Sequence, residues 1–82
     1  MSELKVGQIW QDVDPRAIRY ARIYAIGTGR RSIAIRTVYK AGRGDIKSPI
    51  EWKVKPHSRM TYCDRERFNG KRGGYKLHED VP

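Results

Sequence analysis

The side chains with the clearest chemical capacity in this sequence are cations. Between Pro15 and Arg59 stand Arg16, Arg19, Arg22, Arg30, Arg31, Arg36, Lys40, Arg43, Lys47, Lys53, Lys55 and Arg59, against only Asp45 and Glu51. The whole chain of 82 residues carries a formal charge of +9, with a pI near 10.1. The excess therefore sits in the middle, and the two ends are close to neutral. Self-repulsion on that scale costs stability, and a polyanionic partner would relieve it. Eleven of the eighteen cations are arginine, whose planar fork pairs bidentately with phosphate and stacks on bases. Tyr20, Tyr24 and Tyr39 lie among them, an interleaving suited to stacking unpaired bases. The expected nucleic-acid-binding set is Arg22, Arg30, Arg31, Arg36, Lys40, Arg43, Lys53, Lys55, Arg59, Tyr24 and Tyr39, with DNA and RNA left open. A second reading makes the chain a small inhibitor of a host enzyme or regulator that presents an acidic, DNA-mimicking or nucleic-acid-binding surface.

Catalytic chemistry has less to work with. His57 and His78 are the only side chains that ordinarily titrate near neutrality, and no nucleophile-elbow, zinc-helix or phosphate-loop motif is present. One cysteine and two scattered histidines do not make a structural zinc site of the usual kind. The expectation is a protein that is not an enzyme and needs no cofactor or metal. The one enzymatic alternative is a small ribonuclease built on Glu51, His57 and Arg59 around a single phosphate. Cys63, the lone cysteine, permits no internal disulfide and reads as a buried, inert thiol. Asp12, Asp14 and Arg16 surround Asp14-Pro15, where carboxylates commonly tie a turn to nearby amides.

These residues need elements to hold them, and the apolar pattern has period two. Leu4, Val6 and Ile9-Trp10 suggest a first strand, with Trp10 in the core. Tyr20 to Ile26 places Ala21, Ile23 and Ala25 opposite Tyr20, Arg22 and Tyr24. Gly27 to Arg31 supplies turn conformations, and Ser32 to Tyr39 returns as the second half of a hairpin. After a glycine-rich basic loop, Ile50, Trp52 and Val54 alternate with Glu51, Lys53 and Lys55, one face core, Trp52 included, and the other charged. Arg59 to Cys63 suggests a further short strand, Asp64 to Phe68 a helical turn anchored by Phe68, and Tyr75 to Leu77 a closing strand. Residues 78–82 read as a frayed tail. The fold expected is mainly β: a single domain over 1–82, a small SH3-like barrel of five or six short strands with one short helical turn.

The run Val6-Gly7-Gln8-Ile9-Trp10-Gln11-Asp12-Val13-Asp14-Pro15-Arg16, followed by Arg19 to Ile26, resembles the opening of small uncharacterised proteins of actinobacterial phages and their hosts. The likeness resumes at Thr61 to Phe68 and at Gly74-Tyr75-Lys76-Leu77, and covers about half the chain. It implies a compact β fold and a phage or mobile-element origin, and carries no activity with it. No stretch has the ~18 uncharged apolar residues of a membrane span, and Met1 to Lys5 lacks a signal peptide's apolar segment. A cytoplasmic monomer or weak homodimer, with no membrane partner, is the expectation.

Overall fold

In the computed structural model, which describes residues 3–16 and 18–81, the chain forms six strands: β1 (Ile9–Asp12), β2 (Tyr20–Ile26), β3 (Ile33–Ala41), β4 (Glu51–Val54), β5 (Thr61–Cys63) and β6 (Tyr75–Glu79). A single 3-10 turn, Arg65–Arg67, precedes β6. All pairings are antiparallel, in one sheet ordered β4-β3-β2-β1-β6. β5 lies on the same edge of β3 as β4, opposite Ile33 to Ile35, while β4 takes Val38 to Ala41. No ladder among the described residues joins β6 to β4 or β5, so the sheet is open rather than a hydrogen-bonded barrel. No helix among them is long and apolar enough to cross a membrane.

Alternation along the strands gives each face its own apolar group. One face carries Trp10, Ala21, Ile23, Ile33, Ile35 and Cys63, packed against Leu4, Ile26, Phe68, Tyr75 and Leu77. Ile23 and Ile33 are completely buried, each worth ~1.5–3 kcal/mol relative to exposure. Phe68, delivered by the 3-10 turn, meets Trp10 edge-on at 5.0 Å and stacks on Tyr75 at 5.4 Å. The opposite face buries Ile9, Ala34 and Val38. There Tyr20 contacts Trp52 at 5.0 Å and His78 at 4.8 Å, and the Trp52 indole N–H donates to the Glu79 carboxylate. Side chains thus draw β4 towards β6 although their backbones do not pair.

Four expectations change. Leu4 and Val6 are not strand: Lys5 to Gln8 form a turn in which Gly7 has φ +98°, and β1 starts at Ile9. The buried Gln8 side chain drives this. Its oxygen accepts from the Lys5 amide and the Trp10 indole, and its nitrogen donates to the Glu3 carbonyl and Asp80. A bulge between Ile23 and Ala25 turns Ala25 off the Ile23 face, where it pairs with Ala34 and is exposed. Trp52 is half-buried outside the main core, because its ring bridges two strands on the other face. His78 and Glu79 belong to β6, held by the Trp52 contacts, and Asp80 is bound to Gln8; Pro82, the last residue of the expected tail, lies outside the described residues.

Candidate nucleic-acid interface

β2 begins at Tyr20, opposite Val38, so Tyr39 to Ala41 of β3 run on past it and pair only with β4. The register sets Tyr39 beside Lys53 and Lys40 beside Trp52. The Lys40 ammonium lies 5.2 Å from the Trp52 ring centroid, a cation–π contact. A cleft of about 410 Å3 opens at this overhang, lined by Arg19, Tyr20, Tyr39, Lys40, Lys55 and Pro56 among others. No carboxylate lines it. Tyr39 is 40% exposed, so its ring is available for stacking.

The 42–50 loop that joins β3 to β4 caps the same end. Gly42 has φ +113°, and a Cβ there would collide with the Pro49 carbonyl, so only glycine lets the two limbs close. Asp45 accepts from the Ser48 amide at 2.7 Å, and the Arg43 and Gly44 amides both donate to the Ser48 carbonyl at 2.9 Å. The turn holds Arg43 and Lys47 out into solvent, and Lys47 and Lys53 line a smaller cleft with Glu51. Lys40, Arg43, Lys53, Lys55 and Tyr39 of the expected set therefore gather at one end, joined by Arg19 and Lys47, whose place follows from strand register.

The rest of the set lies elsewhere. Arg30 and Arg31 occupy the β2–β3 turn, at the far end of β3, roughly 30 Å away along an extended strand. They line a polar cleft with Asp64, Arg65 and Glu66, and the Arg31 amide donates to Asp64 at 2.7 Å. Acidic groups thus stand among those cations. Arg22 and Arg36 are direct cross-strand partners at mid-sheet, on the face away from Tyr39. Tyr24 is half-buried at the bulge, and Arg59 is exposed ahead of β5.

Glu51 opens β4 and His57 lies in the turn three residues beyond its end at Val54, with about 10 Å of extended strand between Glu51 and Val54, so the strand sets Glu51 away from His57 and Arg59. Asp12 and Asp14 do what the turn reading expects: Asp12 accepts from the Asp14 amide and Asp14 from the Arg16 amide, with an exposed Arg16–Asp14 ion pair at 3.3 Å. Cys63 is buried, and desolvation pushes its thiol above the ordinary range. Beside the open end, Asp12, Arg19, Thr37, Thr61 and Tyr75 line a polar cavity of about 180 Å3 that nothing in the periodicity marks; burial raises the Tyr75 phenol. The chain matches no protein-family model, and no curated protein or solved structure shows significant similarity to it.

Proposed function

We propose that this protein is a non-catalytic module that binds nucleic acid through its phosphate backbone, using the open end of β3 and β4. The observation that carries this reading is the carboxylate-free cleft in which Arg19, Lys40 and Lys55 surround Tyr20 and Tyr39. Cations neutralise phosphates and release condensed counterions, while an accessible ring gives a base something to stack on. The architecture belongs to the same proposal. A meander of strands, a 3-10 turn before the last strand, and that strand beside β1 favour an SH3-like half-barrel. A phage or mobile-element origin and a cytoplasmic location complete the reading.

The test is the salt dependence of binding to random-sequence DNA and RNA. Log affinity falls linearly with log salt concentration, and Lys40→Glu, Lys53→Glu and Lys55→Glu together flatten that slope by about three units, by similar amounts on every sequence. Binding that ignores salt defeats the proposal. Recovery from host lysate of one stoichiometric protein partner that survives nuclease treatment would favour the inhibitor reading instead.

A further inference from the structure

Arg22 on β2 and Arg36 on β3 are paired residue to residue at the centre of the sheet. Directly opposed strand residues have Cα atoms only about 4.5–5.5 Å apart, and like charges so placed repel. Neither guanidinium meets a carboxylate within ion-pair distance, the Arg16–Asp14 pair being the one salt bridge among the described residues. In the same cross-strand row Ile9 follows Arg22, and Glu79 follows Ile9; that carboxylate lies two strands off and is taken by the Trp52 indole.

The two side chains are not loose in solvent. Both are half-buried, and the Nε atom of each is shut off from water without a hydrogen-bond acceptor. An Arg36 terminal nitrogen donates to the Ser58 carbonyl at 3.1 Å, and the Ser58 hydroxyl is itself buried without a partner. Ser58 reaches this position from the break between β4 and β5, through a turn in which His57 holds φ +65°, a conformation that costs an L-residue free energy. Arg36, held to the Ser58 backbone, thus lies between its cross-strand partner Arg22 and a positive-φ turn with an unpaired hydroxyl, where no acid forms an ion pair with either cation.

We propose that Arg22, Arg36 and Ser58 bind one oxyanion, a phosphate or sulfate group, shared between the two guanidinium forks. An anion there removes the cross-strand repulsion and gives the Ser58 hydroxyl an acceptor. The site is separate from the basic end of β3 and stands whether or not that end binds nucleic acid.

The test is an NMR titration of the wild-type protein with inorganic phosphate at constant ionic strength, chloride making up the balance. Arg22 and Arg36 side-chain N–H resonances shift together along one saturable curve, while those of Arg30 and Arg43 move only weakly. Arg22→Met and Arg36→Met each weaken that binding about tenfold or more, and Lys71→Met, at an exposed loop residue of neither site, leaves it unchanged. Absence of a saturable response in the folded wild type overturns the proposal, without recourse to any variant. Equal responses at Arg22 and Arg30 do the same. A single-stranded oligonucleotide separates the sources: competition with phosphate assigns the site to a backbone phosphodiester, and undisturbed phosphate binding assigns it to a free anion. Oligonucleotide binding that fails while phosphate still titrates Arg22 and Arg36 counts against the nucleic-acid reading alone.

Discussion

The two halves of β3 follow the same alternating pattern and end in opposite surroundings. At the first half, Ile33 and Ile35 lie between β2 and β5, under Cys63, and are 0% and 4% exposed. At the second half, Tyr39 and Lys40 pair with β4 alone and face solvent. A strand's apolar positions become core only where a further element settles on them. The 3-10 turn with Phe68 covers the first half, and the face bearing Tyr39 and Lys53 has no such cover. The uncovered half is where aromatic and cationic side chains remain accessible together.

That contrast fails most visibly if core truncation proves mild. Ile23→Ala in the covered half should cost ~2–5 kcal/mol, a large share of a small domain's ~5–15 kcal/mol. Tyr39→Ala should stay within roughly 0.5–1 kcal/mol, as surface changes do. Urea denaturation of both variants measures the difference, and equal losses would mean the overhang is packed after all. Glycines sharpen the comparison at the level of backbone. At Gly74 a Cβ would strike the Arg67 carbonyl and the Asn69 side chain, wedging the 3-10 turn off β6. Gly74→Ala should therefore lower global stability by ~2 kcal/mol or more, while Gly42→Ala, which strikes Pro49, should disorder the 42–50 loop with little effect on the denaturation midpoint.

How far this was legible in the sequence follows the same division. The Tyr20–Tyr39 hairpin, the Asp14-Pro15 turn and the Phe68 anchor rest on local signals and stand in the structure, and the strand expected over Ile50–Val54 is found at Glu51–Val54, with Ile50 outside it and 58% exposed. Features that depend on a distant partner were hidden. Nothing near Gln8 announces that Asp80, 72 residues on, completes its hydrogen bonds. Nothing near His78 says that Trp52 will hold it. For the candidate site, the cations could be named one by one. Which of them share a carboxylate-free cleft (Arg19, Lys40 and Lys55) and which stand beside acids (Lys47 and Lys53 with Glu51, Arg30 and Arg31 with Asp64 and Glu66) depends on strand length and register. The bulge after Ile23 is likewise silent, since the alternation continues through Ala25 without a break.

The two cation groups can be set against each other directly. Lys40→Glu with Lys55→Glu should weaken oligonucleotide binding at least about tenfold more than Arg30→Glu with Arg31→Glu, because the latter pair already shares its cleft with Asp64 and Glu66. Fluorescence anisotropy at fixed salt reads the ratio, and equal losses would dissolve the distinction. Smaller again is the effect at His57, whose positive φ glycine tolerates freely. His57→Gly should raise stability by up to ~1 kcal/mol, the relief of strain being partly offset by the freer unfolded chain.

The smallest effect is acid sensitivity, which distinguishes the two ends by what each carboxylate holds. Asp14 is kept below the usual carboxylate range by the Arg16 backbone amide, then by the Arg16 side chain. Asp80 is kept low by the Gln8 side chain, then by the Val81 amide. A carboxyl group that is more acidic in the folded state contributes its stability above the unfolded value, and loses it as pH falls through the lowered folded value. Both contributions therefore persist at pH 5 and fade below about pH 4. Asp80 is exposed and Asp14 partly so, and the change is small in each case. Their consequences differ because Asp14 secures one surface turn, whereas Asp80 fastens the end of β6 to the buried Gln8. Acidification from pH 5 to pH 3 should lower the protection of the Val81 amide, whose N–H Asp80 accepts, when its exchange rate is taken relative to the intrinsic rate at each pH. Asp80→Asn keeps an acceptor oxygen and removes the charge, and should abolish that pH dependence; if protection at Val81 still falls with acid in the variant, another group fastens β6.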